Sequence, residues 1–173
     1  MLKNIVVAVD GSDQSVRAAR LAGALADKFD AALTIVHVLL HRDAASLRRM
    51  AEVEHLAAPV EATMTVDAKI AADVREAMRD IAEHSLPYQA LYKIGENVAR
   101  DAEDVARQSG AKTVETRVVD GDPVIAILEV AQELDADMIV TGKRGHGPLH
   151  DLVLGSVSSK LAQLAPCTCV TVH

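Results

Sequence analysis

The chain is poor in aromatic side chains: of its 173 residues none is Trp, one is Phe and two are Tyr. Half of the residues are nevertheless hydrophobic, so a core has to be built from Ala, Val, Leu and Ile. Small and branched aliphatic side chains of this kind suit helices packed on a buried parallel sheet. The length fits one domain and is sufficient to bury a substantial core.

Positive charge and long apolar runs are also scarce. Acidic residues outnumber basic ones by 25 to 18, which gives a net charge of −7 and opposes nonspecific binding to nucleic acid or anionic membranes. No apolar run approaches the roughly eighteen residues of a membrane span, and the one near the N-terminus is too short for a signal peptide. We therefore expect no nucleic-acid partner, no membrane partner and a cytoplasmic location.

Cysteine occurs only twice, at Cys167 and Cys169. A metal site needs more ligands than these two thiols and the nearby His173 supply. We interpret the pair as small residues that fill strand positions in a reducing compartment.

The hydrophobic pattern alternates between short β-branched runs and segments with helical spacing. The runs predict five buried strands at 4–10, 32–40, 112–120, 137–142 and 167–173. The helical segments are 13–28, with Ser12 as its N-cap, then 89–109, 121–136 and 155–164. Alternating strands and helices indicate an α/β fold, an open five-stranded parallel sheet with helices on both faces.

Residues 41–86 interrupt this alternation, because one helix normally suffices to connect two parallel strands. Apolar residues recur there at intervals of three to four, which predicts additional amphipathic helices. The sequence thus predicts a single domain, 1–173, with a helical insertion at about 41–86. The apolar stripe of that insertion has two interpretations: it packs on its own domain, or it binds a second subunit or another protein.

A glycine-rich stretch follows the fourth strand and precedes the last helix. Gly142, Gly145 and Gly147 come first, and Gly155 and Ser156 open the helix. Glycine lets backbone N–H groups approach an anion closely, and a helix N-terminus favours phosphate oxygens. On these grounds alone the stretch is either a phosphate cradle or a structural connector.

Other candidate residues follow the strands. In open parallel sheets, ligands bind beyond the carboxyl ends of the strands, where the strand order reverses. Asp10 ends the first strand, Val38 lies near the end of the second, and Thr141 with Gly142 ends the fourth. If the first and fourth strands are neighbours, Asp10 and the glycine-rich stretch share one crevice.

The segment TGKRGHGPLHDLVLGSVSSKL, 141–161, resembles the G-x2-G-x9-G-S/T motif of the universal stress protein family. Further matching pieces are NIVVAVDGSDQSVRAAR, IVHV, VVDGDPVIAILEVA, ADMIVTGKRGHG and LAPCTCVTV, so the resemblance covers nearly everything except 41–86. It implies the adenine nucleotide alpha-hydrolase-like, Rossmann-like sheet with strand order 3-2-1-4-5. It also implies the ATP-binding branch of the family, a nucleotide-responsive stress or signalling regulator that dimerises through its last strand.

The resemblance assigns roles to positions of this chain. Asp10 would contact the ribose, the Ala8 and Val9 backbone would frame the adenine, and Val38 would line it. The remaining positions implied to bind the nucleotide are Thr141, Gly142, Gly145, Gly155, Ser156 and Val157, with the glycines and the helix N-terminus around the phosphates. The ligand would be ATP, or else ADP or AMP, with one Mg²⁺ on the phosphates.

Binding of ATP does not by itself establish hydrolysis, which needs in-line geometry and a positioned nucleophile. Lys143 and Arg144 could offset phosphate charge and His146 or His150 could orient water, but we interpret all four as a solvated loop. His37 is interpreted as a satisfied core histidine. Asp120 is expected to cap the helix that begins near Pro123.

Two other functions have to be weighed. One is a nucleotide-independent interaction module in the same fold that works through the 41–86 insertion. The other is a phosphoacceptor receiver domain, which Asp10, Asp120 and Thr141 imitate in part. A receiver is disfavoured, because the first strand ends in one acid instead of a pair and the glycine motif would have no role.

Overall fold

The computed structural model describes residues 2–39, 88–143 and 155–173. Contacts divide the chain into two units, Met1–Leu40 with Gly95–His173, and His41–Ile94. Of the second unit only 88–94 are described, and they form the first turns of a helix. The predicted insertion at 41–86 lies outside the described residues, so the arrangement as one domain with an insertion stays a prediction.

The sheet has five parallel strands in the order β3-β2-β1-β4-β5. The elements along the chain are β1 (Asn4–Val9), α1 (Asp13–Phe29), β2 (Ala32–Leu39), α2 (Tyr88–Gln108), β3 (Val114–Asp120), α3 (Pro123–Glu133), β4 (Met138–Gly142), α4 (Ser156–Leu164) and β5 (Thr168–Val172). The predicted fold class and strand order, 3-2-1-4-5, are confirmed.

Helices cover both faces because the crossovers run in opposite directions along the sheet. Parallel crossovers are right-handed, so the connection from β1 to β2 and the connection from β3 to β4 have to lie on opposite faces. One face carries a core of aliphatic side chains from the central strands, α3 and α4, namely Val6, Val36, Ile139, Val124, Ile127, Val130, Ala131 and Leu161. On the other face, α1 packs mainly on β1 and β4.

The two helices of that second face approach each other at a glycine. A Cβ atom added to Gly23 of α1 would lie 2.5 Å from the carbonyl oxygen of Ala106 in α2 and 2.8 Å from its Cα. No side chain fits in that space, since real Cβ contacts are not that short. The small-residue composition therefore has a direct use here, because it lets two backbones pack closely.

The starts of α1 and α3 are fixed by side-chain oxygens. Ser12 is the N-cap of α1, as predicted, and its hydroxyl accepts a hydrogen bond from the Ser15 amide at 3.3 Å. Asp122 is the N-cap of α3 and accepts from the amides of residues 124 and 125 at 2.9 and 3.2 Å. The prediction that Asp120 provides this cap is wrong. Pro123 occupies the first turn, so only the residue directly before it reaches those amides.

Candidate functional site

The strand order reverses between β1 and β4. The chain leaves β1 toward β2 on one side and enters β5 from β4 on the other, so the sheet has its switch point there. Ala8 of β1 lies in register with Thr141 of β4. The carboxyl ends of these two strands therefore form one crevice, which is the ligand position expected for this class of sheet.

The Asp10 carboxylate stands at this edge in a fixed orientation. Its Oδ1 accepts hydrogen bonds from the Ser12 amide at 3.1 Å and from the Ser12 hydroxyl at 2.6 Å. Gly11 between them has φ +81°, which glycine adopts without strain. Ser12 is also the N-cap of α1, so its hydrogen bonds hold the Asp10 carboxylate next to the start of that helix.

His37 of β2 lies beside the last residue of β1, Val9. It is 4% exposed, and its Nδ1 lies 2.9 Å from the carbonyl oxygen of Val9. A carbonyl oxygen can only accept, so Nδ1 is the donor. The interpretation of His37 as a satisfied core histidine is confirmed.

The end of β4 is joined to the start of α4. The Gly155 amide donates to the Lys143 carbonyl at 2.8 Å, and the Ser158 hydroxyl donates to the same oxygen at 2.8 Å. The Lys143 amide donates to the Val172 carbonyl of β5 at 2.6 Å. Lys143 and Gly155 are therefore neighbours in space, and α4 begins where β4 ends.

Gly142 is buried at this joint for a packing reason that the sequence did not reveal. A Cβ atom there would lie 3.0 Å from the carbonyl carbon of Gln14 and 3.2 Å from its oxygen, in the first turn of α1. The missing side chain lets β4 and α1 approach closely. Gly142 thus has a packing role in addition to its predicted contact with phosphate, and that contact stays a prediction.

The start of α4 differs from the starts of α1 and α3. Its N-cap is Gly155, in an extended conformation, and no side chain of the described residues caps it. The amides of residues 156–158 precede the first intrahelical hydrogen bonds, because the Ser159 amide is the first to bond back to Gly155. Within the described residues these three amides have no hydrogen-bond acceptor, and together with the positive end of the helix dipole they make this terminus suited to an anion.

Half-buried aliphatic side chains lie at the same edge of the sheet. Ala8, Val38 and Val157 pack against the core cluster of the α3–α4 face. Val119 of β3 does so too and lies in register with Val38. Sequence reasoning missed Val119, although its position at the end of a strand next to β2 could have identified it.

The structure brings most of the predicted positions to one edge but not to one face. Ala8, Val38 and Thr141 are on the face that α4 covers, whereas the side chain of Val9 is buried on the opposite face because strand side chains alternate. Only the backbone of Val9 therefore faces the crevice. Gly145 lies outside the described residues, as do Arg144, His146 and His150.

Other chemistry has little support in the described part of the chain. Residues 2–39, 88–143 and 155–173 contain no cluster of three or more His, Cys, Asp or Glu that could hold a metal ion. Both cysteines are free, and burial raises the pKa of each thiol, which disfavours the reactive thiolate. Within these same ranges, no helix has the length and apolarity needed to cross a membrane.

Comparison with known proteins decides the family. The model of the universal stress protein family matches residues 1–173. The chain belongs to this family. A Staphylococcus aureus (strain USA300) protein assigned to the universal stress proteins is 30% identical over 172 residues, which cover 99% of this chain and 84% of the relative.

Solved structures of universal stress proteins share the fold. One, in complex with cAMP, is 26% identical with a TM-score of 0.61, and the match covers 99% of this chain and 97% of that one. UspA from Lactobacillus plantarum is 22% identical with a TM-score of 0.63 over 99% and 97% of the two chains. An Archaeoglobus fulgidus universal stress protein in complex with dAMP is 22% identical with a TM-score of 0.58 over 99% and 98%.

Proposed function

We propose that this universal stress protein binds an adenine nucleotide, ATP with Mg²⁺ in the first place, and acts in the cytoplasm as a nucleotide-responsive stress or signalling regulator. The observation that carries the proposal is the joint at Lys143 and Gly155. It holds the N-terminus of α4, which no side chain of the described residues caps, at the switch point of the sheet and beside the strand that Asp10 follows.

The phosphates would lie at the start of α4. Amides of Ser156, Val157 and Ser158 offer hydrogen-bond donors, and the helix dipole adds a favourable field. Lys143, half-buried at the same joint, adds positive charge. Gly142 and Gly145 are proposed to let the backbone approach the phosphate chain. An anionic group fits this donor set, which has no neighbouring carboxylate on α4 itself.

The nucleoside would lie toward β1 and β2. The Asp10 carboxylate, oriented by Ser12, is suited to accept hydrogen bonds from ribose hydroxyls. Ala8, Val38 and Val157 offer aliphatic surface to the base, and the backbone of Ala8 and Val9 offers polar groups at its edge. Thr141, opposite Ala8, closes the floor of the crevice.

A divalent cation would be held mainly by the nucleotide itself. Mg²⁺ keeps several waters and binds through phosphate oxygens with few protein ligands, so phosphates, water and the hydroxyl of Ser156 would hold it. Bound there, it would neutralise phosphate charge. Hydrolysis is not part of the proposal.

The relative in complex with cAMP supports the class of ligand, and the choice among nucleotides needs measurement. Calorimetric titration with ATP, ADP, AMP and cAMP, each with Mg²⁺, is the direct test. We expect saturable binding by the wild type and a loss of about tenfold or more for Asp10→Ala, the magnitude of lost hydrogen bonds to a charged group. Gly145→Val tests the predicted glycine in the same way.

A matched control is Asp101→Ala, which removes an exposed carboxylate from the middle of α2. It should bind like the wild type. If the wild type binds none of the four nucleotides, the proposal is wrong and a nucleotide-independent interaction module becomes the favoured function. If Asp10→Ala binds as tightly as Asp101→Ala, the nucleoside is not where we place it.

The dimer predicted from the family resemblance belongs to the same proposal. β5 pairs only with β4 among the described strands, and none of its residues is fully buried. An unpaired strand edge is a template for a second strand, so we propose that two chains associate through β5. Light scattering should give a dimer for the wild type and a smaller mass for Val170→Lys, because a charge at a strand edge opposes pairing.

A further inference from the structure

His37 holds the last carbonyl group of β1. The residue lies in register with Val9 on the neighbouring strand, and its Nδ1 donates to the Val9 oxygen at 2.9 Å. Since that oxygen cannot donate, the hydrogen bond also fixes which ring nitrogen carries a proton. The last carbonyl group of β1 is therefore bonded to a buried side chain with a defined tautomer.

The bond acts on the peptide that leads out of the sheet. Val9 is the final residue of β1, and its carbonyl forms the peptide group with the nitrogen of Asp10. Peptide groups are planar, so an oxygen held in place also sets the orientation of the Asp10 nitrogen and Cα. Ser12 fixes the carboxylate of Asp10 from one side, and His37 fixes its backbone from the other.

The imidazole has little freedom to turn away from this position. A Cβ atom added to Gly95 of α2 would lie 2.9 Å from Cδ2 of His37 and 2.8 Å from Cδ2 of Leu39. The glycine leaves the space that the ring occupies, and the ring is 4% exposed. The donor is therefore held in position before any ligand arrives.

We propose that His37 is a positioning residue for nucleotide recognition. Its side chain lies on the face opposite Ala8 and Val38, so it acts through the Val9–Asp10 peptide and not by contact with the ligand. By holding that peptide, it presets the ribose-binding carboxylate and the backbone edge that frames the base. The inference rests on the proposed function, because it concerns the same crevice.

Three substitutions separate this role from space filling. His37→Asn places an amide nitrogen near the position of Nδ1 and can keep the donor, whereas His37→Gln places its amide near Nε2 and His37→Leu has no donor. We expect the Gln and Leu variants to raise the dissociation constant for ATP about three- to tenfold, the range of one net hydrogen bond. The Asn variant should stay within about twofold of the wild type.

Thr34→Val is the matched control. Thr34 is also a buried polar residue of β2, but it lies in register with Val6, in the middle of β1. Its loss perturbs the same strand without reaching the crevice, so the affinity should equal that of the wild type. Thermal unfolding of each variant without ligand shows whether any loss of affinity merely follows a loss of stability.

The outcomes distinguish this inference from the proposed function. A wild type that binds no nucleotide overturns both. A wild type that binds, with His37→Leu binding equally well, overturns only the role of His37, as does rescue by Gln in place of Asn. If the variants do not fold, long-range ¹H–¹⁵N spectra of the wild type decide: a proton on Nδ1 with and without ATP supports the inference, and a proton only on Nε2 overturns it.

Discussion

The side chain of Asp137, at the start of the neighbouring strand β4, caps the start of β1. Its Oδ2 accepts hydrogen bonds from the backbone amides of Lys3 at 2.6 Å and Asn4 at 3.0 Å. Asp137 directly precedes β4, so one carboxylate joins the amino ends of two neighbouring strands. This contact lies at the opposite end of the sheet from the candidate site and belongs to the framework.

The Asp137 contact predicts a pH dependence of stability. Hydrogen bonds from the backbone amides of Lys3, which has the larger effect, and of Asn4 lower the pKa of the carboxyl group below its usual value. A lowered pKa means stabilisation that is fully present above about pH 3.9, the ordinary value, and that is lost as pH falls through the folded pKa. Asp137→Asn should therefore unfold at lower urea concentration than the wild type at pH 7, with a smaller difference at pH 3.

The control for that measurement is Asp104→Asn, an exposed carboxylate on α2. Its urea midpoint should differ little from that of the wild type at either pH. A difference between Asp137→Asn and the wild type that remains constant from pH 7 to pH 3 would contradict the assignment, because protonation would then not affect the contact.

Ser12→Ala should affect stability and nucleotide affinity together. The hydroxyl caps α1 and donates to Asp10, so its loss should cost about 1 kcal/mol of stability as a cap and also release the carboxylate. Asp122→Ala removes the cap of α3 and offers a matched comparison. Urea unfolding should show similar losses for both variants, whereas calorimetry should show weaker ATP binding only for Ser12→Ala.

Gly23→Ala should destabilise the fold. The added methyl group would meet the backbone of Ala106 at 2.5 to 2.8 Å, and overpacking of this kind costs about 1 to 3 kcal/mol. Gly95→Ala is the comparison, since its nearest atoms belong to side chains of Leu39, His37 and Val118. The ends of Leu39 and Val118 can rotate away, and the His37 ring needs to tilt by only a few tenths of an ångström while it keeps its hydrogen bond. Chemical unfolding that ranks Gly95→Ala as the more damaging change would refute this account of the α1–α2 contact.

Asp30→Gly should stabilise the protein. Asp30 ends α1 in the left-handed region at φ 51°, where glycine is preferred. Its ion pair with Lys112 is 3.4 Å long and exposed at both ends, so the loss of this pair costs little stability. We expect a gain of up to about 1 kcal/mol in urea unfolding, and the same sign for Asp135→Gly, whose φ is 46°. A loss of stability in both variants would show that the left-handed conformation at these two positions does not favour glycine.

Much of the fold could be predicted because its causes are local. Runs such as NIVVAV are continuous and rich in β-branched residues, so the predicted bounds of β1 through β5 lie within about two residues of the observed ends. The cap at Ser12 is likewise a property of neighbouring residues. The error at Asp120 arose within the same rule, since two acidic residues precede Pro123 and only Asp122 lies at the required distance.

The rest depended on contacts between distant parts of the chain. Nothing in the sequence indicates that Gly142 meets Gln14 or that His37 reaches Val9, because these pairs form only when β4 packs on α1 and β2 pairs with β1. The candidate positions at the strand ends could be named from motif and topology together. Their local support, the hydrogen bonds that orient Asp10 and join Lys143 to Gly155, required coordinates.

The hydrogen bond between Gly155 and Lys143 also bears on how this fold can diversify. It closes the base of 144–154 independently of what that segment contains, and the entropy of closing a loop grows slowly with length, by about 0.6 kcal/mol for each doubling. Substitutions and insertions between these two residues can therefore accumulate without displacing β4 or α4. A change of sequence in this segment would thus alter its own chemistry while the supporting framework of β4 and α4 stays the same.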